Sequence, residues 1–370
     1  MKVVIATGLY PPEIGGPATY AHMLETSLPG RGFTVEIVPF GWVRHYPKII
    51  RHVVYAWKLW HESKDADVVY ALDPISVGIP ASWVAKFLKK PFLIRLGGDY
   101  AWEQGRVRFG LKQRLDDYLK NMDGAPFMVR LLARLQTYVC NRANTIVVPS
   151  KYLKSVVAQW GIEEDKITVI YSALYPIEVS GSKDELRKKL SFTHPTIVSA
   201  GRLVPWKGFV ALVKVVSRLK QQYPNISLVI AGEGEDRSAI EKEIHNLKIE
   251  DSIRLISSVS KDALGATIKA GDVFVLNTAY EGLSHQLLEV MDIGTPIVTT
   301  PAGGNPELIT EGVTGLMVPF NNVDALEEAI ARVLNHPEMV TRMTQSARAR
   351  SKEFSETNAV SKIADLLQSV

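Results

Sequence analysis

Val273-Phe274-Val275-Leu276 leads through Tyr280-Glu281-Gly282-Leu283-Ser284 into His285-Gln286-Leu287-Leu288-Glu289. Four apolar residues without alternation suit a strand buried on both faces. Gly282 and Ser284 read as a turn and a helix N-cap, and Leu287, Leu288 and Met291 turn inward at helical spacing. A buried strand running straight into an amphipathic helix is the repeating unit of a parallel sheet with right-handed crossovers.

The same rhythm extends in both directions. Toward the N-terminus lie the runs Thr196–Ala200, Ser227–Ala231 and Ile253–Ile256, and toward the C-terminus Ile297–Thr299 and Gly315–Val318. The first half repeats it with Val3–Thr7, Val35–Pro39, Val68–Ala71, Phe92–Arg95, Thr145–Val148 and Thr168–Tyr171. Helical patterns separate them, among them Thr19–Leu28, Tyr152–Trp160, Phe209–Gln221 and Asp324–Leu334. Pro176 and Gly181 break the pattern near Tyr175–Lys183, and 370 residues exceed one ordinary core. The expected fold is α/β, with two Rossmann-like, doubly wound parallel-sheet domains facing a cleft. Ligands of such sheets bind outside the carboxyl ends of the strands, so the chemistry belongs in the loops that follow them.

Composition narrows the class. The chain is 46% hydrophobic and 22% charged, which suits a folded globular protein and excludes disordered or collagen-like chains. One cysteine, Cys140, allows no intramolecular disulfide or cysteine zinc site, and the eight histidines form no HxH or HxxxH pair, so no metal site is expected. Met1–Gly8 is too short an apolar run for a signal peptide, and a cytoplasmic location is expected. Residues 1–175 hold 22 basic and 15 acidic side chains, a balance of +7, whereas the remainder, with 21 and 24, carries −3. A basic first half invites an anionic partner; scattered solvated charge is the other reading.

Three loops after strands carry candidate chemistry. Gly15-Gly16-Pro17 opens a helix after the first strand, as a phosphate-facing turn or simply a tight one. Arg202 and Lys207 flank Leu203-Val204-Pro205-Trp206; they suit a diphosphate grip or are two solvated cations. Glu281 and Glu289 bracket the helix start at Ser284, whose free amides favour negative charge. No GxxxxGK[ST] segment occurs.

Together, in this order, the three sites resemble the retaining glycosyltransferases of family 4, which have the two-domain GT-B fold. Glu281 and Glu289 match the E-x7-E signature, joined by Gly201-Arg202-Leu203-Val204-Pro205-Trp206-Lys207-Gly208 and by Gly15-Gly16. The resemblance implies a second domain, 177–354, that holds a nucleotide-diphosphate sugar, and a first domain, 1–176, to which a terminal helix at about 355–370 returns. It implies Arg202 and Lys207 on the pyrophosphate, Glu289 on the ribose hydroxyls and Glu281 on the donor sugar. Backbone groups of Gly282, Leu283 and Ser284 then face sugar and phosphate, and the Gly15-Gly16 loop closes over the pyrophosphate. UDP or GDP is the expected carrier, and no further cofactor is required.

Two departures stand out. The loop after the fourth strand, Arg95-Leu96-Gly97-Gly98-Asp99-Tyr100, lacks the histidine many members have, and Ser172-Ala173 replaces the usual Asn-Gly. Asp99 is read as a contact for the sugar or acceptor hydroxyl, or else as a turn-stabilising residue.

The acceptor side of this fold is the first domain. Trp102–Arg134 carries seven Lys and Arg residues and reads as an acceptor-side insertion for a glycan, a lipid-linked or a phosphate-bearing acceptor. Tyr46–Trp60 places Ile49, Ile50, Val53, Val54, Trp57 and Trp60 on a helix with Lys48, Arg51 and Lys58. It covers the sheet, or else makes peripheral contact with an anionic membrane at the inner face. No nucleic-acid motif occurs. The expected activity is transfer of a sugar from the nucleotide to a hydroxyl of a glycan, lipid-linked or small-molecule acceptor, with retention. A sugar-nucleotide epimerase of GT-B type and a non-catalytic two-domain sugar-binding protein are the rival readings.

Overall fold

Lys2–Thr7 is apolar after its first residue and buried along its length, which makes it an inner strand, β1. The computed structural model describes residues 1–13, 15–192 and 195–370; Ile14 of the first loop lies outside them, as do the side chains of Lys48 and Ile49. Five more strands follow: β2 Thr34–Pro39, β3 Val68–Ala71, β4 Phe92–Arg95, β5 Thr145–Val148 and β6 Ile167–Val169. They pair in parallel in the order β2-β1-β3-β4-β5-β6. A second parallel sheet joins β7 Thr196–Ala200, β8 Ser227–Ala231, β9 Ile253–Ile256, β10 Val273–Leu276, β11 Ile297–Thr299 and β12 Leu316–Met317, in the order β12-β11-β10-β7-β8-β9. The expected α/β class with two doubly wound sheets is therefore present. Two of the four edge strands, β6 and β12, are shorter than their apolar runs, whereas the edge strands β2 and β9 are not.

The chain divides into two compact units, Met1–Ser172 with Glu356–Val370, and Ala173–Ser355. In the first, the terminal helix Glu356–Gln368 buries Ile363, Ala364 and Leu367 and packs on the helix Gly16–Ser27. Ser27 donates to the Glu356 carboxylate, and Arg31 donates to Ser361 at 3.1 Å. The segment expected as an insertion forms the helices Tyr100–Arg108, Leu115–Lys120 and Phe127–Arg142. In the second unit, the Leu174 amide donates to the Phe354 carbonyl at 2.7 Å, so the chain enters and leaves that unit at one place. Among the described residues no helix is long and apolar enough to cross a membrane.

Strand order reverses between β1 and β3 in the first sheet and between β7 and β10 in the second. Those are the places where loops diverge and leave room for a ligand.

Ile363→Ala should cost about 2–5 kcal/mol. Hydrogen exchange should then show lost protection in 356–370 and in the helix Gly16–Ser27; loss confined to Ala173–Ser355 would contradict the assignment of the terminal helix.

Candidate active site

At the switch point of the second sheet, the loops after β7 and β10 are held together backbone to backbone. The Trp206 carbonyl accepts from the Ala279 amide at 2.8 Å and from the Thr278 hydroxyl at 3.2 Å. Asn277, at the end of β10, donates to the Gly208 carbonyl and to Asn321, each at 2.9 Å. Gly208 has φ 56°, and a Cβ there would lie 2.2 Å from the Asn277 amide nitrogen, so only glycine fits. This fixes Lys207 at the mouth of the site.

The Lys207 ammonium is ion-paired with the Glu281 carboxylate, and both side chains are mostly buried. Glu281 is held in turn by its backbone: its carbonyl accepts from the Gly304 amide at 3.0 Å. A Cβ on Gly303 would sit 1.8 Å from that carbonyl oxygen. Lys207 Nζ and Gln286 Oε1 each lie 3.8 Å from the Cβ position of Gly201, which gathers the two loops and the helix His285–Ile293 around one spot. Ser284 caps that helix by accepting from the Leu287 amide at 3.2 Å. Leu283 and Ser284 are buried.

Arg202 differs from Lys207. Its side chain is 60% exposed, and its guanidinium is 3.7 Å from Glu235, a loose surface pair. It is free to swing, whereas Lys207 is positioned. Glu289 is nearly buried, with Lys261 Nζ at 3.4 Å. Lys261 also lies 5.2 Å over the Tyr175 ring, which stacks on His285. Sequence reading missed Lys261 and Gln286: the first reaches Glu289 from a different helix, and no local spacing announces it.

In the first unit, Gly15 (φ 153°) precedes the helix Gly16–Ser27, whose first turn holds Pro17 and whose Gly15 carbonyl accepts from the Thr19 amide at 3.1 Å. Across the switch point, one Asp73 carboxylate oxygen accepts the amides of Ile75 and Ser76 at 2.9 and 2.6 Å. The other lies 2.6 Å from the Cβ position of Gly8. Burial raises the Asp73 carboxyl, partly offset by those amides. Asp73 was not singled out from sequence, where it reads as an ordinary turn former.

Asp99 takes the second of its two readings. It is 0% exposed and caps the helix Tyr100–Arg108, accepting from the Trp102 amide at 2.9 Å and from Gln136 at 3.2 Å. One carboxylate oxygen of Asp99 thus serves the start of that helix. Cys140 is buried, and burial pushes its thiol well up, as expected of an inert core cysteine.

Burial also raises the Glu289 carboxyl, and Lys261 pulls it back. The charged form is thus less favoured in the fold than in the unfolded chain. Its cost is full above the folded pKa and fades as pH falls through that value toward the unfolded one. Glu289→Gln should therefore raise Tm at neutral pH, with the gain vanishing near about pH 4; a lower Tm at neutral pH would show that the carboxylate stabilises the fold.

Comparison with known proteins identifies the family and the fold. The Glycosyltransferase Family 4 model matches residues 17–174, and the Glycosyl transferases group 1 model matches 182–350. An uncharacterized glycosyltransferase of Methanocaldococcus jannaschii, MJ1607, is 26% identical over 90% of this chain and 89% of its own. A GDP-mannose-dependent alpha-(1-6)-phosphatidylinositol monomannoside mannosyltransferase of Mycobacterium tuberculosis is 31% identical over 41% of this chain and 42% of its own. Among solved structures, Anabaena HepE in complex with UDP-glucose superposes with a TM-score of 0.78 at 18% identity over 100% of both chains. Sucrose-phosphate synthase of Thermosynechococcus elongatus gives 0.79 at 17% identity over 100% of this chain and 98% of its own. With the Glycosyltransferase Family 4 model on the first unit and the Glycosyl transferases group 1 model on the second, the chain belongs to the glycosyltransferases of the group 1 and family 4 kind, and it shares the GT-B fold of HepE and sucrose-phosphate synthase.

Proposed function

We propose that the protein is a retaining hexosyltransferase that moves a sugar from UDP or GDP to a hydroxyl of a glycan, lipid-linked or phosphate-bearing acceptor. The observation that carries this reading is the Lys207–Glu281 pair, held by glycine-dependent backbone contacts beside a capped helix N-terminus. Cleaving the sugar–phosphate bond leaves charge on the departing diphosphate. Lys207, the mobile Arg202 and the first amides of the helix His285–Ile293 offset that charge.

An arriving diphosphate competes with Glu281 for Lys207. The carboxylate is then released toward the sugar, where it orients a hydroxyl or meets the developing positive charge at the anomeric carbon. Glu289, already desolvated, accepts from the ribose hydroxyls. The GDP-mannose dependence of the mycobacterial relative and the UDP-glucose bound to HepE support a nucleotide sugar as donor, with the base left to a binding test. In front-face retention a donor phosphate oxygen takes the acceptor proton, so no protein base is needed.

Calorimetry against UDP, GDP and ADP should give binding to one of the first two. Lys207→Ala should weaken it by about 1.5–3 kcal/mol, roughly ten- to hundredfold, and Arg202→Ala by less. Glu281→Gln should lower turnover while nucleotide still binds. With the matching sugar nucleotide and an acceptor, NMR of the product should show the donor's anomeric configuration kept. An inverted product, or an epimerised donor formed without acceptor, would overturn the proposal.

A further inference from the structure

Three helices of the first unit, Lys48–Ser63, Gly78–Leu88 and Phe127–Arg142, cross over between strands that advance in the same direction along the sheet, so they form one layer on one face. Their inner sides are satisfied: Tyr55 and Leu59 of the first, and Val139 and Cys140 of the third, are fully buried. Their outer sides carry a second apolar pattern that packing does not require. Tyr46, Ile50, Val53 and Trp57 recur at spacings of four, three and four, and Trp57 is 59% exposed. Trp83 and Phe87 lie one turn apart, with Phe87 75% exposed, and Phe127, Leu131 and Tyr138 continue the stripe on the third helix. Among the described residues, eleven of the fifteen exposed large apolar side chains lie on this layer or just before its first helix.

The charge around these stripes is predominantly positive: Glu62 is the one carboxylate on the three helices, and Arg44, just before the first, is paired with Glu13. Segments 41–60, 78–92 and 125–144 contain ten Lys and Arg residues and no Asp or Glu. Several cations lie against aromatic rings: Lys58 is 5.5 Å from the Trp42 centroid, Lys64 4.0 Å from Trp60 and Arg142 5.3 Å from Tyr138. Aromatic and aliphatic stripes rimmed by cations with apolar stems are the composition of a bilayer interface, where rings enter the headgroup level and ammonium groups reach lipid phosphates.

We propose that this outer layer seats the protein on an anionic lipid surface. A second copy of the chain is disfavoured by symmetry: a two-fold contact sets the same patch on both partners, so uncompensated cations would face cations. The proposal is independent of the donor chemistry, because all of its residues lie on helices outside the loops after β7 and β10. It does bear on the acceptor, since a lipid-linked substrate presents its hydroxyl at such a surface.

The test is co-sedimentation of the full chain with phosphatidylglycerol-rich and pure phosphatidylcholine vesicles. Binding should be seen to the first alone and should fall with added salt. Trp57→Ser with Phe87→Ser should weaken it about tenfold or more, since exposed rings lose their burial in lipid. Lys86→Glu with Arg134→Glu should abolish it, while the nucleotide-induced rise in Tm stays as in the wild type. No binding to anionic vesicles at low salt, or equal binding by both double variants, would overturn the proposal. A dimer in sedimentation velocity that Trp57→Ser with Phe87→Ser disrupts, without vesicle binding, would assign the face to a second copy.

Discussion

Side chains are excluded from the places where the loops of the second sheet meet. A Cβ on Gly232 would lie 2.0 Å from the Gly201 carbonyl oxygen, one on Gly234 2.2 Å from that of Leu203, and one on Gly303 1.8 Å from that of Glu281. Each contact joins the loop after one strand to the loop after a neighbour. Parallel strands deliver their ends side by side, and glycine lets those ends close to backbone contact. The Lys207–Glu281 pair depends on this closeness: its partners lie 74 residues apart and are held by main chain rather than by their own attraction. A mostly buried ion pair of two long side chains is a poor organiser by itself. Here it is the consequence of an organised backbone.

The strands were legible because each is a short, uniformly apolar run, and burial on both faces demands that pattern. Glu281, Glu289, Arg202 and Lys207 were legible as residue types at the ends of such runs. Their partners were not. Lys261 meets Glu289 from another helix, and Asn277 meets Asn321 across 44 residues, contacts that only the strand order creates. Asp99 illustrates the opposite limit: an Asp three residues before Trp102 is a helix N-cap by local rule, yet the same residue in a loop after a strand also fits a ligand contact.

The uneven charge of the sequence acquires a location. The excess of cations in the first half is spread over a helix layer free of carboxylates in the three segments named, rather than over the loops at the strand ends. In the second unit, by contrast, positive groups are answered nearby: Lys207 by Glu281, Lys261 by Glu289 and Arg187 by Asp272. The two halves use the same α/β layering for different electrostatic ends, one with compensated charge in a confined site and one with an open field.

The Leu174–Phe354 hydrogen bond closes the second unit at its own base, and the helix Glu356–Gln368 then returns to the first. The first unit is therefore discontinuous in sequence, and its last helix is made only after the whole of the second unit. During synthesis the first sheet is complete at β6 but must wait for nearly two hundred more residues before the cover of its helix Gly16–Ser27 arrives. The second unit, continuous from Ala173 to Ser355, can close as soon as it leaves the ribosome. Of the two units, the one whose sheet is made first is thus finished second, and in that interval the apolar surface that Ile363 and Leu367 cover lacks its cover.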